Sequence, residues 1–386
     1  MPRVLIYEGM VNWHGECLPS YYYYFKELGY NVDFAIADTA IHKSALWMIK
    51  DPNTRIYTFK NGASPKKIKS NLHLMELKKK IPNLLKYDLY FISTLVPATF
   101  EFARYLYKYN HNYRNKVMFQ CHRNYTMFSK WMNGSKVFNL NGFTLGLVTD
   151  KCFPQLPPIK SIKGFEHKEI AENIKKETPV SLFIGGLSHI HFKNFEKLVQ
   201  AVEELNKEGY NIIVNVTGVR ELGDYILPKS KFVNYLGKLL FEDMAYQYIS
   251  NTFLFVLFDE KPFSCSKDHH EFLSGRVSGS RNMSIMYNIP LIVQKPFQKS
   301  WGLDNTNSIP YEGHDYKQVL LQLYKLNSDQ YNTIINNLIQ KEKEEFQLGL
   351  NNLKNKINLI TSLPETKSTV KSALDKPIKK DKFLRF

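Results

Sequence analysis

VSLFIGGLSHIHFKNFEKLVQAVEEL, residues 180–205, is the stretch that decides the fold class. Its first five residues have the composition of a buried strand, and Gly185 and Gly186 then predict a tight turn. Apolar residues recur at helical spacing from Phe195 to Leu205, so an amphipathic helix is expected next. A helix that begins just after a strand presents unpaired backbone N–H groups and the positive end of its dipole, which favour an anion. We therefore predict that this loop binds a diphosphate.

A second loop of this kind lies in FLSGRVSGSRNMSIMYNIPLIV, residues 272–293, where glycines and serines precede a short helix and a buried strand. Hydroxyls, backbone amides and guanidinium groups at a helix start can surround a diphosphate. The residues that offer these groups are Arg276, Ser278, Gly279, Ser280 and Arg281. The alternative for both loops is structural, since Gly-Gly after a strand is often a tight turn and Ser-Gly-Ser is an ordinary N-cap.

The chain as a whole alternates short apolar strands with amphipathic helices, which predicts an α/β architecture with parallel sheets. Strands are expected at 3–8, 31–37, 54–59, 88–93, 116–121, 136–140, 145–149, 180–184, 211–216, 232–235, 253–257, 291–294 and 308–311. Because 386 residues exceed what one core usually supports, two domains are expected, with a proline-rich linker from residue 153. The predicted parts are a Rossmann-like domain at 1–160, a second at 178–340, a closing helix at 341–362 and a disordered basic tail at 363–386.

Composition limits the function classes. No apolar run approaches the roughly 20 residues that span a bilayer, and the start MPRVLIYEGMV has no signal-peptide design. We therefore expect a cytoplasmic protein, or one peripheral to a membrane. The four cysteines are widely spaced without a CxxC pair, which argues against a disulfide framework or a zinc site.

The formal net charge of +16 favours anionic partners such as nucleotide sugars, acidic lipid headgroups or nucleic acid. The sequence has no zinc-finger, RNP or recognition-helix pattern, so nucleic acid is not an expected partner. The tail ends in KKDKFLRF (379–386), a mixture of basic and apolar residues that can contact an anionic membrane. A solvated tail without a partner is the alternative.

Two Rossmann-like halves with phosphate loops in the second half resemble the GT-B glycosyltransferases, most closely a retaining group called family 4-like or group 1. The resemblance covers residues 1–360 in element order, and its specific motifs lie in 180–311. It implies two domains that face a cleft, a C-terminal helix that closes the fold, and a nucleotide-diphosphate sugar bound by the second domain. The family's glycine pair and its later Lys-Gly or Lys-Asn pair are here Gly185-Gly186 and Lys193-Asn194. The family's lysine grips the donor diphosphate, which assigns that role to Lys193.

The chain diverges from the family where an arginine is usual six residues before the lysine, because Leu187 stands there. Arg276 or Arg281 can replace this arginine, since a bidentate guanidinium suits a phosphate better than the point charge of a lysine.

The chain also lacks the family's paired glutamates, and Gly275 and Met283 stand at their expected positions. In the family these carboxylates hold the donor's ribose and contact its sugar. Glu271, or Glu260 further upstream, can substitute after a shift of the loop.

The N-terminal domain is expected to hold the acceptor, because ligands of open α/β sheets bind beyond the carboxyl ends of the strands. The loop after the first strand contains two glycines, an aromatic ring and polar groups, which suit a sugar or the underside of the donor. The residues expected to contact it are Gly9, Asn12 and His14. His122 ends the strand at 116–121, and related enzymes often place a histidine at the end of an N-domain strand, beside the transferred sugar. We therefore expect His122 and Glu271 as catalytic residues, and the alternative for each histidine is a structural role.

The expected function is transfer of a sugar from a nucleotide-diphosphate donor to a hydroxyl acceptor on a glycan, protein or lipid, with retention implied by the resemblance alone. Such enzymes stabilise the leaving diphosphate with basic residues and helix dipoles, so neither a cofactor nor a metal is expected. The alternatives are an epimerase of sugar nucleotides with the same architecture, and a degenerate GT-B protein that binds without turnover. A metal site is a minor alternative, for which the chain offers His189, His191, His269 and His270.

Overall fold

The structure is a computed structural model in which the chain forms two compact units. Unit 1 comprises Met1–Pro157 and Phe346–Phe386, and unit 2 comprises Pro158–Glu345. The residues that the structure describes are 1–11, 15–60, 72–94, 99, 102–103, 105–106, 115–121, 142–144, 179–187, 191–218, 226–257 and 279–362. The first division between the units falls in the proline-rich stretch that begins at residue 153.

Unit 1 contains a six-stranded sheet of order β3-β2-β1-β4-β5-β6 in which every neighbouring pair is parallel. Its strands are β1 (Arg3–Glu8), β2 (Asn31–Ala37), β3 (Ile56–Phe59), β4 (Leu89–Ile92), β5 (Val117–Cys121) and β6 (Gly142–Thr144). Between them run the helices α1 (Leu18–Glu27), α2 (Ala40–Ala45) and α3 (Leu72–Lys80).

Both faces of this sheet are covered, as the near-continuous apolar strands require. Successive residues of β1 point to opposite faces, so Leu5 and Tyr7 join one buried cluster while Val4 and Ile6 join the other. Aromatic residues of α1 cover the face that contains Val4 and Ile6. Three residues from the far end of the chain complete this second cluster: Leu353, Ile357 and Ile360.

Unit 2 contains a second parallel six-stranded sheet, of order β12-β11-β10-β7-β8-β9. Its strands are β7 (Val180–Ile184), β8 (Ile212–Val216), β9 (Val233–Tyr235), β10 (Phe253–Phe255), β11 (Leu291–Gln294) and β12 (Ser308–Tyr311). Its helices are α4 (Phe192–Lys207), α5 (Phe241–Ser250), α6 (Gly279–Met286), α7 (Lys295–Ser300), α8 (Tyr316–Lys325) and the first part of α9 (Ser328–Thr361). The rest of α9, from Phe346, belongs to unit 1. No helix within the described ranges is long and apolar enough to cross a lipid bilayer.

The predicted α/β class with two Rossmann-like parallel sheets is confirmed. β6 was not predicted, and the expected strands on either side of it, 136–140 and 145–149, lie outside the described residues. Two short helices, α5 and α7, were not predicted. In α7 a proline stands in the first turn, where it removes no hydrogen bond although it resembles a helix breaker in the sequence.

Each sheet has one position at which the order of the strands reverses. In unit 1 it lies between β1 and β4, and in unit 2 between β7 and β10. Ligands of open α/β sheets bind outside the carboxyl ends of the strands at this position. The segments that follow these four strands are therefore the expected positions for ligand-binding residues.

Candidate functional site

Three segments at the carboxyl edge of unit 2 are joined by hydrogen bonds between their backbones. The Leu187 N–H donates to the Thr217 carbonyl (3.2 Å), which links the segment after β7 to the segment after β8. The Gly218 N–H donates to the Gly237 carbonyl (2.9 Å), and the Thr217 hydroxyl donates to the same oxygen (2.6 Å). The loop that carries the predicted glycine pair is thus held by its neighbours on the side of β8 and β9.

The two glycines of this loop differ in the space around them. A Cβ added to Gly185 would lie 2.9 Å from the Tyr248 hydroxyl, whereas a Cβ added to Gly186 would meet no atom of the described residues within 4 Å. Gly218 approaches Gly186 closely from the next loop, and its φ of +68° requires glycine. The backbone at Gly186 is therefore open to a ligand, while Gly185 packs against protein.

Tyr248 gives this loop a rigid support from α5. Its ring packs edge-on against Phe183 of β7, with centroids 5.0 Å apart, and stacks on Tyr287 at 5.1 Å with an interplanar angle of 9°. Burial, with a further contribution from Tyr248, raises the pKa of the Tyr287 hydroxyl, so this side chain stays neutral at physiological pH. Tyr248, Thr217 and Gly218 were not predicted from the sequence, although Gly218 lies two residues after a predicted strand, where a glycine indicates a turn.

Lys193 lies in the first turn of α4 with an exposed side chain. Its neighbours Phe192 and Asn194 are buried, and the Asn194 amide donates to the Leu257 carbonyl at 3.5 Å, which ties the start of α4 to the segment after β10. The switch point between β7 and β10 is therefore crossed by the first turn of α4. Lys193 is placed on the exposed side of that turn, as a ligand-binding cation requires.

The second predicted loop is described only from Gly279 onward. Gly279 begins α6 and is exposed, and a Cβ added to it would meet no atom within 4 Å in the described part of the chain. Ser280 is half-buried. The first-turn N–H groups of a helix have no partner within the helix, so the start of α6 can receive an anion. Ser278, Arg276 and Glu271 lie outside the described residues.

Arg281 requires a correction to the predicted site. Its side chain is 1% exposed, and its guanidinium pairs with Glu345 of α9, through Nη1 to Oε2 at 2.7 Å and through Nη2 to Oε1. Its Nε donates to the Trp301 carbonyl at 3.1 Å. Arg281 lies on the face of α6 that points into unit 2, so we remove it from the predicted diphosphate site.

The Arg281–Glu345 pair is a buried ion pair that lowers the pKa of the Glu345 carboxyl. Burial alone raises the pKa of the Glu345 carboxyl, but the charges and hydrogen bonds of Arg281 and Lys341 outweigh burial and hold that pKa below its ordinary value. Glu345 is therefore ionised at neutral pH and neutralises the guanidinium.

The predicted residues of unit 1 are described only in part. Gly9 follows β1 at the carboxyl edge of the sheet and is buried. Asn12, His14 and His122 lie outside the described residues, as does the tail from residue 363. Within the described ranges, no group of three or more His, Cys, Asp or Glu side chains could hold a metal ion.

Comparison with known proteins gives matches among solved structures, whereas no protein-family model and no curated protein matches this chain. An alpha-glucosyltransferase in complex with UDP and a 13-mer DNA aligns over 93% of this chain and 99% of its own, with 11% identity and a TM-score of 0.55. The Anabaena protein HepE in complex with UDP and glucose aligns over 94% and 100%, with 10% identity and a TM-score of 0.55. A glycosyltransferase from Rickettsia africae ESF-5 aligns over 94% and 99%, with 12% identity and a TM-score of 0.54.

Identities of this size show the fold alone. The chain has the fold of these glycosyltransferases, the GT-B fold, over nearly its whole length.

Proposed function

We propose that this protein is a glycosyltransferase that moves a sugar from a nucleotide-diphosphate donor to a hydroxyl acceptor, with the donor bound by unit 2. The observation that carries the proposal is the open backbone at Gly186 with the exposed Lys193 in the first turn of α4, at the switch point of the sheet. Two structures of the same fold hold UDP, which makes a UDP-sugar the first donor to test.

The chemistry required of unit 2 is stabilisation of the leaving diphosphate. The Lys193 ammonium group and the N–H groups at the starts of α4 and α6 would supply positive charge and hydrogen bonds where negative charge develops. His122 and Glu271 remain the catalytic residues that the sequence predicts, and Arg276 takes the role of the family arginine. Retention of configuration and a glycan, protein or lipid acceptor belong to the proposal on the strength of the family resemblance.

The proposal is tested by a screen of donors followed by a turnover assay. We expect one of UDP-, GDP-, ADP- or dTDP-sugars to raise the melting temperature, and the matching nucleoside diphosphate to be released only when a hydroxyl acceptor is present. Conversion of the sugar nucleotide without an acceptor would identify an epimerase instead. Binding without any conversion would identify a non-catalytic protein.

Lys193→Ala is expected to raise the KM for the donor roughly 10–100-fold, because a hydrogen bond to a charged group contributes about 1.5–3 kcal/mol. The melting temperature should stay unchanged, since the side chain is exposed. Lys197→Ala is the matched control, as this exposed lysine lies one turn further along α4. Equal donor KM values for the two variants would remove Lys193 from the donor site.

A further inference from the structure

A buried carboxylate lies at the switch point of unit 1. Glu8 is the last residue of β1 and is fully buried, and Ser93 and Thr94 directly follow β4, the neighbouring strand on the other side of the reversal. Ligands of such sheets bind outside the strand ends at this position. Sequence reasoning singled out the loop after β1 for its glycines, aromatic ring and polar groups, and gave Glu8 no role of its own.

The Glu8 carboxylate joins the two segments that leave the sheet at this point. Its Oε1 accepts a hydrogen bond from the Met10 N–H at 2.8 Å, in the segment after β1. Its Oε2 accepts from the hydroxyls of Ser93 and Thr94 at 2.5 Å each, in the segment after β4. The Thr94 carbonyl in turn accepts from the Thr99 hydroxyl at 2.5 Å. One side chain therefore links the starts of the two segments that follow β1 and β4.

The segment after β1 is also held sterically. A Cβ added to Gly9 would lie 2.4 Å from the Tyr7 hydroxyl and 2.9 Å from the Thr99 methyl group. Only a glycine allows the chain to leave β1 along this path. The path of the chain at Gly9 and Met10 therefore depends on two features: Gly9 has no side chain, and the Glu8 carboxylate accepts a hydrogen bond from the Met10 N–H.

Glu8 holds these segments at a cost in stability. Burial raises the pKa of its carboxyl, and the opposing hydrogen bonds from Ser93, Thr94 and Met10 and the charge of His42 do not cancel the effect of burial. A carboxyl with a raised pKa in the folded state contributes stability below its unfolded pKa and loses it as pH rises through the folded pKa. At neutral pH the buried carboxyl therefore contributes less stability than it does in acid, and groups with perturbed pKa values concentrate at functional sites.

We propose that Glu8 is a positioning residue for the acceptor, which holds the segments after β1 and β4 in the geometry that receives a hydroxyl-bearing molecule. The inference rests on the proposed function, and it assigns the acceptor to the carboxyl edge of the sheet at the switch point between β1 and β4. Because Glu8 is fully buried, it acts through Met10, Ser93 and Thr94 and does not touch the acceptor itself.

The test compares Glu8→Leu with Glu8→Gln. Glutamine can keep all three hydrogen bonds, since its carbonyl accepts from the Met10 N–H and its amide donates to hydroxyls that also accept. Leucine keeps none. We expect Glu8→Leu to raise the acceptor KM on the order of 10–100-fold with the donor KM unchanged, because small misplacements of binding groups have effects of this size. Glu8→Gln should restore the acceptor KM and melt at a higher temperature than the wild type at neutral pH.

Gln120→Met is the matched control on the neighbouring strand. Gln120 lies two residues after Met118, on the face that Ile6 and Phe91 share, and is therefore aligned with Glu8 and Ser93 across the sheet. It is as buried as Glu8, but neither polar atom of its side chain has a hydrogen-bond partner among the described residues. The acceptor KM should not change in this variant, and a rise equal to that of Glu8→Leu would overturn the proposal.

Two further outcomes would overturn it. An unchanged acceptor KM in Glu8→Leu would leave Glu8 without a positioning role, and loss of turnover in Glu8→Gln would make it a proton donor or acceptor. If the wild type transfers no sugar, the proposed function fails. The rate of hydrogen exchange at the Met10 amide then tests whether Glu8 holds the segment after β1 in place. Faster exchange in Glu8→Leu but not in Glu8→Gln supports the positioning role independently of turnover.

Discussion

Arg281→Ala is expected to lower the free energy of unfolding of unit 2 by about 3–5 kcal/mol, because removing one partner of a buried ion pair leaves the other charge uncompensated. The charge left behind is Glu345, whose carboxylate is paired bidentately in the wild type. The measurement is denaturation in urea, followed by donor binding at a temperature where the variant is folded. The donor affinity should then equal that of the wild type.

The control for Arg281→Ala removes both charges together. Arg281→Met combined with Glu345→Leu replaces the pair with apolar side chains of similar length, which is often neutral or stabilising for buried pairs. We expect the double variant to be more stable than Arg281→Ala. A fully stable Arg281→Ala protein with a weakened donor affinity would return Arg281 to the diphosphate site.

The same pair predicts a loss of stability in acid. The pKa of Glu345 is lowered in the folded state, so its contribution is present above the unfolded pKa of about 4.3 and is lost as pH falls through the folded pKa. The wild type should therefore lose more stability below about pH 4.3 than the Arg281→Met/Glu345→Leu variant does. Parallel curves of unfolding free energy against pH for the two proteins would contradict the pairing.

Gly186→Ala is expected to raise the donor KM at least about tenfold, which corresponds to about 1.4 kcal/mol of binding free energy, while the melting temperature stays unchanged. The added methyl group meets no atom of the described residues within 4 Å, so we expect it to obstruct the ligand that binds there. A glycine after the first strand of a nucleotide-binding unit allows the backbone to approach a diphosphate closely.

Gly185→Ala is the matched comparison, because this substitution is expected to lower the stability of the protein. Its Cβ would lie 2.9 Å from the Tyr248 hydroxyl, so the melting temperature should fall. Tyr248→Phe in the same protein removes the obstructing oxygen, and the nearest ring carbon is then 3.6 Å away, so stability should return in part. If Gly186→Ala binds the donor as the wild type does, the open backbone at Gly186 is not part of the donor site.

Most of the strands were predictable from sequence because they are short apolar runs with polar or glycine boundaries, whereas β6 (GFT) has no such run and was not predicted. The succession of strand, glycine pair and helix after β7 was also predictable, because its residues are neighbours in the chain. The role of Gly186 and Lys193 in donor binding stays a prediction. Arg281 was not, because the side of α6 on which it lies is decided by Glu345, 64 residues further along. The roles of Tyr248 and Glu8 were not predictable either, because their contacts are with residues that are distant in the sequence and adjacent only in the folded chain.

α9 determines the order in which the protein can be completed during synthesis. Unit 1 begins at Met1, but its second apolar cluster includes Leu353, Ile357 and Ile360 from the last turns of α9. At a synthesis rate of about 5–20 residues per second, the ribosome needs roughly 10–40 s to proceed from residue 157 to residue 353. During this interval the face of β1 that bears Val4 and Ile6 lacks part of its covering helix. Unit 1 is therefore synthesised before unit 2 but completed after it, and until then it exposes apolar surface of the kind that promotes aggregation.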